Sequence, residues 1–387
     1  MISRLLAAAL MNSARHYPIV TLTGPRQSGK TTLIKSMWPE KVYASLEDPD
    51  TLDFAQSDPR AFLEQGEGGG LIIDEAQRHP PLFGYMQGYA DQAKAGHYIL
   101  SGSNNFLLME KIGQSLAGRT AVLCLLPLSA EELGAVALDS SWEEAAFRGF
   151  YPRVRAEGLP PELFARDYLA TYVERDVRLV KNIGDLSSFR RFLELCAGRA
   201  GQLLNLSALA GDAGVAVNTL KSWLSLLEAS YLVFRLQGWH ENFGKRIVKA
   251  PKLYWHDTSI LCRLLGIRGA EDLRSHPLRG ALFENLVIAE RYKAASHRGL
   301  EPRLFFWRDT NGHEVDLVDQ SGSESLLWEC KSGSTIAGDF FKQLEAIGAE
   351  AAIPPERRIL VYGGTESSRR SAGRAIGWRE ALLDSVI

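Results

Sequence analysis

Eight residues, Gly24 to Thr31 (GPRQSGKT), constrain the fold more than any other stretch of this chain. They read Gly-x-x-x-x-Gly-Lys-Thr, with the apolar run IVTLT before them and TLIKSMW after, which sets a loop between a strand and a helix. Such a loop curls its backbone N–H groups around phosphate oxygens at a helix N-terminus. A parallel sheet with helices on its faces is the architecture that supplies this strand-to-helix turn.

In that setting Lys30 is placed to reach the β- and γ-oxygens of ATP and the Thr31 hydroxyl to ligate Mg²⁺, while Gly24, Pro25, Arg26, Gln27, Ser28, Gly29 and Thr32 complete the cradle. A second element agrees with the first. Leu71 to Glu75 (LIIDE) is an apolar run ending in carboxylates, 44 residues beyond Lys30 at Asp74. Asp74 is expected to hold the Mg²⁺ hydration shell beside Thr31, and Glu75 to orient and deprotonate the attacking water. The strand expected at His97–Leu100 ends in SGSNN, where Ser103 or Asn104 is placed to sense the γ-phosphate or to form a turn. Arg119, before the run AVLCLLPL, is expected either to reach a neighbouring nucleotide as a charge-stabilising finger or to form a surface salt bridge.

At 387 residues the chain exceeds one ordinary core, which stops growing near ~250–300 residues. The runs IVTLTG, KVYASL, LIIDEA, HYILSGS and AVLCLLPL alternate with helical periodicity and predict a P-loop α/β sheet over residues 1–130. A helical extension is expected over 131–185. Residues 203–236 read as helix, the turn GDAGV, a second helix from about Val217 to Glu228, and the β-rich YLVFRL, the order of a winged helix-turn-helix, assigned to 186–245. Asn218, Thr219, Lys221 and Trp223 lie on or near that second helix, with Trp223 read as core. Residues 186–250 hold 8 Lys and Arg against 4 Asp and Glu within a chain of net charge −2, so neutrality overall is no argument against a DNA partner.

Residues 246–387 predict a second kind of α/β unit. Glu284 lies on a helix, Asp316 ends NGHEVD, Glu329 and Lys331 share one face of the strand LLWECK, and Gln343 follows on FFKQLEAI. If the strand ends adjoin, Asp316 and Glu329 make a carboxylate pair able to hold a divalent ion against a phosphodiester, with Lys331 stabilising charge.

Taken together, GPRQSGKTTL, LIIDEAQ, SGS, LAGR, GFYPR (149–153), YVERDV (172–177), LKSWLSLLE, EVDL and ECKSG resemble bacterial and archaeal AAA-type ATPases carrying a C-terminal domain of unknown function. The resemblance runs the length of the chain. It implies an AAA+ core, a winged helix-turn-helix and a PD-(D/E)xK nuclease-like fold in series. Cys330 stands where an apolar residue is usual, and Gly149-Phe150 where two glycines are common.

The four cysteines lie 66 to 72 residues apart with no CxxC pair, which argues against a zinc site or disulfide framework and fits a reducing compartment. The longest apolar run has eight residues, far below the ~18 of a membrane span. The N-terminus reads as an amphipathic first helix rather than a signal peptide, and a cytoplasmic location is expected. The leading expectation is an ATPase whose nucleotide state repositions a DNA-facing, nuclease-like module, possible as a homo-oligomer or with a protein partner. The alternative is a nucleotide-gated regulatory protein whose C-terminal fold binds without cutting.

Overall fold

Ile19 and Val20 are neighbours in sequence and face opposite cores. Ile19 packs with Leu71, Ile73 and Leu100, and with Phe62, Phe83 and Met86 from helices on one face. Val20 packs with Leu22, Ile72 and Ile99, and with Leu6, Leu10, Leu33 and Ile34 on the other. Period-2 alternation with both sides apolar is the signature of a sheet buried on both faces. The computed structural model describes residues 2–103, 115–177, 185–239, 250–308 and 313–383.

The first sheet has five strands, β1 (Ile19–Thr23), β2 (Val42–Ser45), β3 (Leu71–Asp74), β4 (Tyr98–Ser101) and β5 (Thr120–Cys124). Their order is β2-β3-β4-β1-β5, and every pairing is parallel. The parallel α/β sheet expected from the apolar runs is present. β4 lies between the strand that precedes the phosphate loop and the strand that ends in Asp74, so all three chain ends open at the same sheet edge. Helices α1 (Leu6–Ala14) and α2 (Lys30–Met37) cover one face.

From Ser129 the chain turns helical. Ser129 opens this part with a capping box, accepting from the N–H of Glu132 while Glu132 returns a carboxylate to the Ser129 N–H. Helices α3 (Leu186–Ala197), α4 (Leu206–Ala213) and α5 (Val217–Ala229) follow, with Gly214 left-handed (φ 73°) at the end of α4. Trp223 is buried, its ring 5.3 Å from that of Phe189 and 5.5 Å from that of Phe192, a core role as read from the sequence.

The second sheet joins β6 (Val233–Gly238), β7 (Lys252–Trp255), β8 (Leu304–Arg308), β9 (Glu314–Asp319), β10 (Leu326–Lys331), β11 (Arg358–Tyr362), β12 (Ser368–Arg370) and β13 (Gly373–Gly377). Its order is β12-β13-β11-β10-β9-β8-β6-β7. The division expected between residues 245 and 246 therefore runs through a continuous sheet. β6 pairs with β7 across that point, and its Gln237 and Gly238 pair with Phe305 and Phe306 of β8. Strand pairing is set by contacts distant in sequence, which local turn signals do not register. One apolar core runs from Leu128 to Leu382 and includes the helical extension, α3 to α5 and the face of the second sheet that carries helix α6 (Arg279–Ser296). Helix α7 (Lys342–Glu350) packs on β9, β10 and β11 on the other face. Among the described residues no helix is long and apolar enough to cross a membrane.

Candidate functional site

The phosphate loop owes its course to two glycines. Gly24 (φ 142°) passes so close to Leu125 that a β-carbon would collide with the Leu125 carbonyl oxygen, and Gly29 is left-handed (φ 95°) where α2 begins. Lys30 is buried, and its Nζ donates to the carbonyl oxygens of Gly24 (3.0 Å) and Pro25 (2.8 Å). Burial pushes the Lys30 pKa down, against the opposing pull of Glu75 and Asp74.

Asp74 is the acceptor around which the site is organised. Its Oδ2 accepts from the Thr31 hydroxyl (2.7 Å) and from the Tyr43 hydroxyl (2.8 Å), and its Oδ1 accepts from the Ser101 hydroxyl and from the Glu75 N–H (3.1 Å). Glu75 takes a left-handed conformation (φ 53°), a strain of ~1–2 kcal/mol for a non-glycine residue. Its Oε2 accepts from Ser103 Oγ (3.2 Å) and from the Gln77 amide. Lys30, Thr31, Asp74, Glu75 and Ser103 are thus brought together; Asn104 lies outside the described residues. Arg26 lies over the ring of Tyr172, 5.6 Å from its centroid, and Ser28 offers its carbonyl to Arg4.

Arg119 lies away from the phosphate loop of its own chain. It immediately precedes β5, whose Thr120 pairs with Ile19, whereas the phosphate loop leaves β1 after Thr23. At ~3.3 Å per residue those ends lie about 13 Å apart. Its guanidinium forks onto Asp91, at 2.6 and 3.0 Å, the surface salt bridge of the two expected alternatives, and it does not reach the phosphate loop of its own chain.

Three contributors escaped the sequence reading: Tyr43 and Ser101, which face Asp74, and Arg4. The first two were in principle visible, because alternation in β2 and the serine ending β4 place polar groups at the tips flanking β3. Arg4 had no local signal. Its guanidinium donates to the carbonyls of Ser28 (2.7 Å) and Leu126 (2.8 Å) and to Glu132 Oε1 (3.0 Å).

A second cluster forms on the other sheet. β9 and β10 run antiparallel with Trp328 opposite Leu317, which brings Glu329 alongside Asp316. Asp316 Oδ2 accepts from the Cys330 N–H (2.8 Å), and Glu329 Oε1 pairs with Lys331 (2.6 Å). Glu329 Oε2 is buried with no hydrogen-bond partner among the described residues, as is Oε1 of Gln343 on α7. Lys252 of β7 was not read from the sequence. Its ammonium lies 2.5 Å from Glu314, 3.0 Å from Glu284 and 3.9 Å from Asp316, with the side chain 3% exposed.

Burial, and then the charge of Asp316, push Glu284 up to about 7 and Glu329 up to about 8. Burial also raises Asp316, with Lys252, the Cys330 N–H and Lys331 pulling it back. Burial works against the Lys252 ammonium, yet Glu284, Asp316 and Glu314 outweigh it and raise its pKa. Among the described residues no group of three or more His, Cys, Asp or Glu is placed to hold a metal ion. At the pair expected to hold a divalent ion, Lys331 takes Glu329 Oε1 and the Lys252 ammonium lies 3.9 Å from Asp316, while Glu329 Oε2 is left without a partner among the described residues.

Helix α6 connects the two clusters. Glu284 sits near its start. Toward its end Glu290 accepts from the Ala130 N–H (2.7 Å), Lys293 donates to the Leu128 carbonyl (3.2 Å), and the following His297 lies 3.3 Å from Glu132. Glu132 also binds Arg4 and so reaches the Ser28 carbonyl of the phosphate loop. A second bridge is Tyr231, left-handed at φ 56°, whose hydroxyl donates to Thr23 Oγ1 (2.7 Å), one residue before the loop.

Residues 16–134 match the family described as AAA domain. Residues 139–271 and 279–380 match two domains of unknown function, DUF8612 and DUF4143. An uncharacterized protein of Mycobacterium tuberculosis and another of Mycobacterium bovis are each 32% identical over 348 residues, covering 87% of this chain and 75% of the relative. The Walker-type ATPase of Pyrococcus abyssi superposes with a TM-score of 0.43 at 17% identity, covering 68% of this chain and 96% of that one.

Proposed function

The chain belongs to one family with these mycobacterial relatives and carries an AAA domain over residues 16–134, and from that premise we propose that it binds and hydrolyses ATP at the Lys30–Thr31–Asp74–Glu75 site. The carrying observation is the direct 2.7 Å hydrogen bond from Thr31 to Asp74, with Glu75 next in the chain and Ser103 on it. The residues fit Mg²⁺: a threonine hydroxyl and a carboxylate, already in contact, are the oxygen donors that this ion takes from such sites. Thr31 and Asp74 would hold it, and bound there it neutralises charge on the β- and γ-phosphates.

The chain's own groups do the rest. The backbone from Gly24 to Gly29, with Thr32, cradles the phosphates. Lys30 exchanges the carbonyls of Gly24 and Pro25 for phosphate oxygens, a favourable trade for a buried ammonium. Glu75, oriented by Ser103 and Gln77, accepts a proton from the attacking water. Steady-state ATP turnover in Lys30→Ala and Glu75→Gln tests the assignment. Both are expected to lose hydrolysis at least a hundredfold, with Glu75→Gln still binding ATP; full hydrolysis in both would sink it.

Nucleotide state is passed on through Arg4, Glu132 and α6, and through Tyr231, to a C-terminal module built as a winged helix on a nuclease-like sheet. Asn218, Thr219 and Lys221 are exposed on α5 and make a DNA-facing surface there. For the C-terminal sheet, Lys252 favours the second reading, a fold that grips a partner without cutting it. Incubation with Mg²⁺ or Mn²⁺ and several DNA and RNA forms, alongside Asp316→Ala, separates the two. Metal-dependent cleavage lost in the variant supports a nuclease; salt-sensitive binding without cleavage supports the binding module.

A further inference from the structure

We infer that the Lys252 ammonium stands where a divalent cation would otherwise be drawn, so that the C-terminal carboxylate cluster is a lysine-neutralised site that works without a metal. The inference deepens the second reading above and does not depend on ATP hydrolysis.

The geometry begins with β7. Lys252 pairs with Leu236 of β6 and bridges to Leu203, so its backbone is fixed from both sides. Alternation then puts Lys252 and Tyr254 on one face of the sheet. That face also receives Glu284 from α6 and Glu314 and Asp316 from β9, three carboxylates from two separate elements converging on one ammonium. Convergence of oxygens from a helix and a strand is what a hard dication asks for; here an NH₃⁺ with three donors meets it.

Each carboxylate already has at least one oxygen engaged, and of their oxygens Glu329 Oε2 alone is buried without a partner among the described residues. Glu284 Oε1 also accepts from the Tyr254 hydroxyl (2.5 Å), Glu314 Oε2 from Arg308 (3.2 Å), Asp316 Oδ2 from the Cys330 N–H (2.8 Å), and Glu329 Oε1 from Lys331 (2.6 Å). Three side-chain cations, Lys252, Lys331 and Arg308, thus divide four carboxylates among them. A dication seated on Asp316 would face an ammonium 3.9 Å from that carboxylate, a like charge in a buried place where screening is weak. An ordinary surface lysine would pair with one carboxylate and remain in water, whereas this one is 3% exposed.

The test is Mn²⁺ uptake by the full-length, nucleotide-free protein, followed by electron paramagnetic resonance of free Mn²⁺, for wild type, Asp316→Asn, Lys252→Met and the double variant. Wild type and Asp316→Asn are expected to give the same titration. Lys252→Met is expected to gain a site at least tenfold tighter, which Asp316→Asn in the same chain removes. A wild-type site abolished by Asp316→Asn overturns the inference, and so does a folded Lys252→Met with no gain. Should Lys252→Met fail to fold by circular dichroism, the wild-type and Asp316→Asn pair still decides. ATP turnover, read in parallel, reports on the nucleotide site alone and keeps the failure of one reading distinct from failure of the other.

Discussion

Arg4→Met is the perturbation that most directly probes how the phosphate loop is held. The methionine keeps the stem's bulk and removes three donors: Nε at 3.0 Å from Glu132, Nη1 at 2.7 Å from the Ser28 carbonyl and Nη2 at 2.8 Å from the Leu126 carbonyl. Both side chains of the ion pair are buried, at 6% and 0% exposure. Removing one partner of such a pair strands the other charge and costs about 3–5 kcal/mol. Because a domain's whole stability is about 5–15 kcal/mol, urea unfolding should register the loss without ambiguity. Adding Glu132→Gln to Arg4→Met should cost about 1–3 kcal/mol less than the two single changes summed.

The pH dependence follows from Glu132. Burial opposes its ionisation, but the His297 contact, Arg4 and the Leu5 N–H outweigh it and hold the group at about 2 instead of 4.5. A carboxylate depressed in the folded state stabilises fully above its unfolded pKa and loses that contribution as pH falls through the folded one, here from 4.5 toward 2. Arg4→Met raises the folded value, so acid unfolding should begin at higher pH. Release of the Ser28 carbonyl should also weaken ADP binding about tenfold, equivalent to ~1.4 kcal/mol. Stability within about 1 kcal/mol of wild type together with an unmoved acid limb would refute the account.

Tyr231→Phe keeps the ring and removes one hydroxyl, so stability should fall by about 1 kcal/mol while amide exchange at Thr23 and Gly24 quickens; unchanged exchange would mean that the contact does not restrain the loop. Arg119→Ala should leave ATP turnover unchanged, because the guanidinium is forked on Asp91 away from its own phosphate loop. A loss of turnover that grows with protein concentration would instead place Arg119 in a neighbouring subunit's site.

The proposed nucleotide site was legible because its chemistry is contiguous: GPRQSGKT and LIIDE each carry their residue types, order and secondary-structure context within a few positions. Its supports were not, since Arg4 meets Glu132 across 128 residues and Tyr231 meets Thr23 across 208. The carboxylates at 284, 316 and 329 were readable from helix and strand patterning. Lys252 was not, because a lysine opening KLYW looks like the solvated flank of a strand until the sheet closes over it. The boundary expected at 245 lies outside the described residues, and no local signal there announced the pairing of β6 with β8, which joins residues distant in sequence.

That pairing has a mechanical consequence. β6 leaves α5 after a short turn at Ser230 and is hydrogen-bonded along one edge to β7 and, at its end, along the other to β8. A strand gripped on both edges behaves as a splint, not a hinge. Torque applied to α5, from whatever lies against Asn218 or Lys221, is delivered into the sheet that carries Asp316 with no compliant joint at β6 to absorb it. Heating should melt these elements together as one cooperative block, and a protease would find no cut at β6 that frees the helices and leaves the sheet intact.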